Sequence, residues 1–291
     1  MKPLKEILRL SSNSTQKEDK NMTVPTIGLC LSGGGALGYA HIGVIQALED
    51  CGIYPQVISG ASMGAVVGLV YAAGKTPQEM LQLIKDDKLY RLTNLVKLPT
   101  AFWRSSGISN HQPLKKLIKE ICPQNNFDSL KLKMNVCVSN LNSGKWEVIS
   151  SGNNVDEWVA ASSSIPGVYI PIKMGEELYV DGGLLNNMPA QPLREQCDVI
   201  IGSDVFPQTS VKKNLKMQNA VVASIRTVQV QNSQEGRSLC KFLIEPNMVE
   251  KYHEFSFDAY KEIFQSGYSA VTKYLVEHPE MLQLRSGVKE V

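Results

Sequence analysis

Ser62 stands in Gly60-Ala-Ser-Met-Gly64, a GxSxG between a short apolar run and a helical one. A nucleophilic hydroxyl must stand proud of a sheet on a tight turn, and glycines two residues to either side let neighbouring backbone pass close to it. The helix that follows points its N-terminus at the same place and favours developing negative charge. The same five residues also suit a plain strand–helix turn with Ser62 as N-cap. A second glycine-rich stretch, Ser32-Gly-Gly-Gly-Ala-Leu-Gly38, lies between the first strand and the first helix. Gly33, Gly35 and Gly38 fit a dinucleotide loop, which expects an acidic residue at the end of the next strand. That strand instead ends in Ser59-Gly60 and runs into the serine turn. An oxyanion loop, whose free N–H groups stabilise a tetrahedral intermediate, accounts for both motifs with one site; a helix-capping glycine turn is the remaining reading. The third stretch is Tyr179-Val-Asp181-Gly-Gly183, followed by Asn186-Asn-Met-Pro189. It places a carboxylate at a strand end with two glycines behind it, and an Asx-turn has the same pattern.

A histidine triad competes with a serine–aspartate pair. In the order Ser, acid, His, the candidates are Ser62, then Asp181 or Asp204, then His253. His253 sits in Lys251-Tyr-His-Glu-Phe255, which has no special turn chemistry, and reads as a surface residue. His41, in the first turns after the glycine loop, borders the site and reads as packing; His111 and His278 complete the set.

The elements that must hold these residues follow an α/β rhythm. Thr26–Ser32 and Gln56–Ser59 read as buried parallel strands, with helices over Ala36–Asp50 and Ala65–Ala73. Pro77–Lys88 and Pro113–Ile121 read as helices. Met134–Leu141 and Lys145–Ser150 form a hairpin about Asn142-Ser-Gly144. Val155–Ser164 is a short helix, Leu178–Val180 a strand delivering Asp181, and Asp198–Val205 a further buried strand. Asn214–Gln231 and Phe257–His278 read as helices around a strand at Cys240–Ile244. Leu95–Ser109 has no period and carries Phe102 and Trp103 beside Lys97 and Arg104. It reads as a loop or lid that either seats on lipid or anchors to the core.

Taken together, Gly33-Gly-Gly-Ala-Leu-Gly38, Gly60-Ala-Ser-Met-Gly64, Ala161-Ser-Ser-Ser-Ile-Pro166 and Asp181-Gly-Gly183 resemble the blocks of the bacterial patatin-like phospholipases, in that family's order. The resemblance spans Thr26 to Phe206. It implies a three-layer α/β/α sandwich with a mainly parallel central sheet and lipid acyl hydrolysis by a Ser–Asp dyad. On that reading Ser62 is the nucleophile and Asp181 the base. Gly33, Gly34 and Gly35 supply the oxyanion hole, while Gly38, Gly60, Gly64, Gly182 and Gly183 support the motifs. The substrate is a lipid or other carboxylic ester; a non-catalytic lipid-binding or scaffold protein is the alternative. In one respect the chain departs from the family. The glycine block often carries Arg or Lys before its last glycine, and Leu37 stands there, so a cation that could meet a phosphate is missing.

Composition sets the outer bounds. The 291 residues suffice for a single domain, expected over 25–291, after a flexible leader at 1–24 in which Met22 is a possible alternative start. Hydrophobic residues make up 43% and the formal charge is +2, which allows a sizeable core and gives no field to gather nucleic acid. Six cysteines form no CxxC pair, and no Cys/His spacing resembles a zinc site. No metal or cofactor is expected. Reduced thiols, the lack of a signal-like core at the N-terminus, and the lack of an apolar stretch of ~20 residues suggest a cytoplasmic setting with peripheral membrane contact.

Overall fold

The structure, a computed structural model, describes residues 25–85, 111–206, 217–247 and 251–285. The expected leader at 1–24 and the expected lid at 95–109 lie outside them.

The described strands form one sheet in the order β5-β6-β3-β2-β1-β7-β8, with β4 also on β3. At its centre β1 (Ile27–Leu31) runs parallel to β2 (Val57–Ala61) and to β7 (Val199–Ser203). β3 (Lys133–Asn140) continues parallel to β2, and β8 (Phe242–Ile244) parallel to β7. Antiparallel strands extend the β3 side: β4 (Lys145–Ile149), β5 (Ile172–Met174) and β6 (Glu177–Asp181). The expected hairpin is therefore present. A second one, β5–β6, turns at Glu176 and Gly175, which has φ 63°; its three-residue first strand is too short to show a period.

The central strands read as unbroken apolar runs because both their faces are covered. Side chains alternate between two cores. Ile27, Leu29 and Leu31 enter the larger one, with α1 (Tyr39–Asp50), α2 (Met63–Ala72) and α7 (Tyr260–Glu277). Cys30 points the other way, into a smaller core with Val57, Met188, Leu193 and Ile200. The fold is thus the expected α/β/α sandwich with a mainly parallel sheet, with one core much larger than the other. α1 and α7 pack so closely that a Cβ on Gly43 would meet the Phe264 carbonyl and one on Gly267 the Ala40 carbonyl. The remaining helices are α3 (Pro77–Lys85), α4 (Gln112–Ile121), α5 (Val155–Ser162) and α6 (Met217–Leu239). α6 runs eight residues past the expected end at Gln231. Gly236 lies within it because a side chain there would strike the Met188 carbonyl.

Candidate active site

β2 runs straight into Ser62, whose φ of 54° and ψ of −127° are strained for a residue with a side chain. The strain is held by two close approaches. A Cβ on Gly60 would lie 2.6 Å from the Gly64 carbonyl carbon, and one on Gly64 would collide with the Leu31 carbonyl oxygen. The GxSxG spacing is therefore steric: both glycines let the turn fold against β1. Ser162 at the end of α5 fixes the turn from the side, its Oγ accepting from the Ser62 N–H at 3.0 Å and donating to the Cys137 carbonyl at 2.7 Å.

β6 brings Asp181 to the same point. Ser62 Oγ donates to Asp181 Oδ2 at 2.6 Å, and Gly183 N–H donates to Oδ1 at 2.8 Å. Asp181 is 2% exposed, and burial pushes its carboxyl up to about 7 against the downward pull of these two hydrogen bonds. A free carboxyl near 3.9 is a poor base for a serine hydroxyl at neutral pH, whereas one near 7 is matched to the task. Gly182 and Gly183 form a 3₁₀ turn directly behind it, and Gly182 presses against the Cys137 carbonyl.

The glycine loop comes alongside. Gly33 lies against Ser62 Cβ and the Asn187 side chain. Its N–H is already given to the Asn187 carbonyl at 3.2 Å, which removes Gly33 from the expected set of three donors. The N–H groups of Gly34 and Gly35 make no hydrogen bond to any described residue, and both glycines line the cleft with Ser62. Gly35 needs to be glycine twice over: its φ is 56°, and a Cβ there would strike the Glu254 carbonyl oxygen. Gly38 faces Met63, and Leu37, in place of the expected cation, is fully buried.

No described histidine hydrogen-bonds Ser62 or Asp181. His41 is buried between Ser32 O at 2.9 Å and Ser203 Oγ at 2.8 Å, and burial pushes it down to about 4. It thus supports the glycine loop from below. His111 meets Ser164 Oγ at 2.8 Å and stacks on Tyr169, 4.2 Å between ring centroids. It too is pushed down to about 4 by burial. His253 Nδ1 accepts from the Phe255 N–H at 3.2 Å, and His278 pairs with Glu280. Asp204, the other acid considered, is ion-paired with Arg237.

The cleft above Ser62 and Asp181 encloses about 140 Å³ and is walled mainly by apolar groups, among them Val66, Leu114, Ile165, Val168 and Phe257. Beyond the sequence motifs, Arg226 and Gln229 of α6 and Glu254 also line it. These came from segments with no distinctive local pattern. The assembly pairs a strained, buried serine with a carboxylate of raised proton affinity, unused N–H donors and an apolar channel. Such a constellation suits acyl transfer from an ester with an aliphatic chain. Among the described residues no helix is long and apolar enough to cross a membrane.

Comparison with known proteins bears on the family and the fold. A family model described as patatin-like phospholipase matches residues 29–194. Uncharacterised NTE family proteins of Mycobacterium bovis and Mycobacterium tuberculosis are 33% identical over 197 residues, covering 66% of this chain and 53% of theirs. The chain therefore spans about half the length of these relatives. A lysophospholipase of Emericella nidulans is 25% identical over 285 residues, 86% of this chain and 18% of the relative. Among solved structures, human GIVD cytosolic phospholipase A2 superposes with a TM-score of 0.52 at 11% identity, covering 97% of this chain and 63% of that one, a likeness of fold. With over half of its residues matched by the family model, the chain belongs to the patatin-like phospholipase family.

Proposed function

We propose that this protein is a serine carboxylic-ester hydrolase acting on lipid acyl esters, of the phospholipase or lysophospholipase type, through a Ser62–Asp181 dyad. The observation that carries the reading is the 2.6 Å hydrogen bond from a strained Ser62 to a buried carboxylate that forms no ion pair among the described residues. In the first step Asp181 takes the Ser62 proton as Oγ attacks the ester carbonyl. The oxyanion that forms accepts hydrogen bonds from the N–H groups of Gly34 and Gly35. Collapse breaks the ester bond, and Asp181 returns the proton to the departing alcohol, leaving the acyl chain on Ser62. Water, deprotonated by Asp181, then attacks the acyl-enzyme, and the fatty acid leaves as Ser62 recovers its proton. The apolar walls hold the chain, and the lysophospholipase relative in Emericella nidulans points to a lipid ester as substrate. Access to such a substrate implies peripheral contact with a membrane or micelle.

The test is lipid hydrolysis by the purified protein and its Ser62→Ala variant, with a fluorophosphonate probe to mark the nucleophile. The reading expects the probe on Ser62 in the folded protein alone. It also expects fatty-acid release to fall at least about a thousandfold in the variant. Release that survives in Ser62→Ala excludes it.

A further inference from the structure

Leu37 leaves the glycine loop without the cation that the resemblance leads one to expect, and its side chain lies wholly in the core. The cleft nevertheless has a positive group, delivered from α6. Of the described residues lining it, the ionisable ones are Asp181, His111, Tyr169, Arg226 and Glu254. His111 is kept neutral by burial, so Arg226 is the cation of this set.

Arg226 is held as a recognition group rather than as a solvated surface charge. Its side chain is 29% exposed, its guanidinium carbon lies 5.5 Å from the centre of the Phe206 ring, and its Nη2 is 3.1 Å from Glu254 Oε2. The Nη2–Oε2 contact is an ion pair without hydrogen-bond geometry, so Glu254 Oε2 is itself buried without a hydrogen bond. The Arg226 Nε is buried and makes no hydrogen bond to any described residue. A buried donor without an acceptor costs stability unless a ligand supplies one. The planar guanidinium has donors to spare for an acceptor that offers two oxygens side by side.

Glu254 connects this cation to the reacting centre. While its carboxylate pairs with Arg226, its main-chain carbonyl accepts from the Ala36 N–H at 2.9 Å, directly beyond Gly34 and Gly35. The guanidinium and the unused N–H donors are thus mounted on the same residue. Ser62, Gly34, Gly35 and Arg226 line one cleft, so an ester whose carbonyl sits over Ser62 can present a second group to the guanidinium.

We propose that Arg226 binds the phosphate of the lipid substrate's head group, supplying from α6 the cation absent at Leu37 and selecting phosphate-bearing esters over uncharged ones. The proposal rests on the hydrolase reading above and deepens it. Glu254 keeps the guanidinium aimed into the cleft and leaves the pair able to accept a head group that carries its own positive charge.

The experiment compares hydrolysis of a lysophospholipid and of a monoacylglycerol with the same acyl chain, both in mixed detergent micelles. The enzymes are the parent, Arg226→Gln, Arg226→Lys and Ser62→Ala. The expected result is a fall of about tenfold or more in the ratio of kcat/KM on the lysophospholipid to that on the monoacylglycerol in Arg226→Gln. The loss should fall mainly in KM and be partly restored in Arg226→Lys, which keeps the charge but not the fork. A ratio unchanged in Arg226→Gln overturns the proposal, since a merely structural role lowers both activities together. Stimulation or inhibition of monoacylglycerol hydrolysis by inorganic phosphate, lost in Arg226→Gln while the ratio stays constant, overturns it in favour of a free anion. Ser62→Ala separates the two layers: if it hydrolyses both substrates like the parent, the hydrolase reading fails, whatever Arg226 does.

Discussion

Asp181 and Asp204 are both nearly inaccessible, at 2% and 5% exposure, and both stand at the ends of strands of one sheet. They lie on opposite sides of its centre, one on β6 and the other just past β7. Asp204 faces the Arg237 guanidinium, which also reaches Glu245 at 2.8 Å, and its Oδ1 accepts from the Phe206 N–H. Burial holds the Asp204 carboxyl above its ordinary value too, but there the Phe206 N–H and the Arg237 cation oppose it. Among the described residues Asp181 has no cationic partner. Its two hydrogen bonds leave burial dominant, and the one from Ser62 is the bond whose proton must move. A buried carboxylate with a fixed positive partner is part of the scaffold, and one without such a partner is poised to take a proton. The same residue type in the same kind of place is separated by its neighbours alone.

The largest effect that can break this contrast is on turnover. Asp181→Asn keeps the shape and can still accept from the Gly183 N–H through its amide oxygen, but its NH2 then faces Ser62 Oγ and it cannot take the serine proton. Ester hydrolysis should fall at least about a thousandfold, as for Ser62→Ala. Arg237→Met should do the opposite. It leaves Asp204 buried and unpaired, so unfolding free energy should drop by about 3–5 kcal/mol. Turnover per folded molecule, measured below the new melting range, should stay within about tenfold of the parent. Equal catalytic losses in the two variants would erase the distinction between base and scaffold.

A smaller effect sharpens it. The folded carboxyl of Asp181 sits at about 7, above its ordinary value, so between about pH 4 and pH 7 the folded state keeps a proton that the unfolded chain has lost. Its contribution to stability is complete below that window and is lost as pH rises through about 7. Asp181→Asn, neutral throughout, should therefore be more stable than the parent at pH 8, by at most about 4 kcal/mol. The two should converge near pH 4. Chemical denaturation across that range checks it, and an advantage that grows toward acid pH has the wrong sign for this account. An inactive variant more stable than its parent is the expected trade at a site built for chemistry.

Much of the site was legible because it is written in short contiguous blocks. Gly60 and Gly64 flank Ser62 at a spacing that only close backbone contact explains, and Asp181 ends a strand with Gly182 and Gly183 behind it. What the sequence hid lies in pairings over long separations. The Ser162 hydroxyl that holds the Ser62 N–H is one of three consecutive serines, and no local pattern singles it out. The loss of Gly33 as a donor depends on Asn187, 154 positions on in the chain numbering. Arg226 and Glu254 sit in segments with no motif, and both their ion pair and the contact of Glu254 with the glycine loop exist only once α6 and the 251–257 stretch are in place. At the level of fold, the central strands announced themselves as apolar runs. The β5 strand, three residues long and with only Ile172 buried, did not. α6 passed through Gly236, where tertiary contact with Met188 outweighs the weak helix propensity of glycine.

The most direct test of the central claim is the pH dependence of Ser62 modification. Fluorophosphonate labelling rate should be followed from pH 5 to pH 9 in the parent, His253→Ala and Asp181→Asn. If Asp181 is the base, the parent rate rises about tenfold per unit at acid pH and levels off above about 7, as the carboxylate forms. His253→Ala should trace the same curve. Asp181→Asn should be slow at every pH, with no inflection. An inflection near 7 that persists in Asp181→Asn, or that vanishes in His253→Ala, would contradict the assignment of Asp181 as the base.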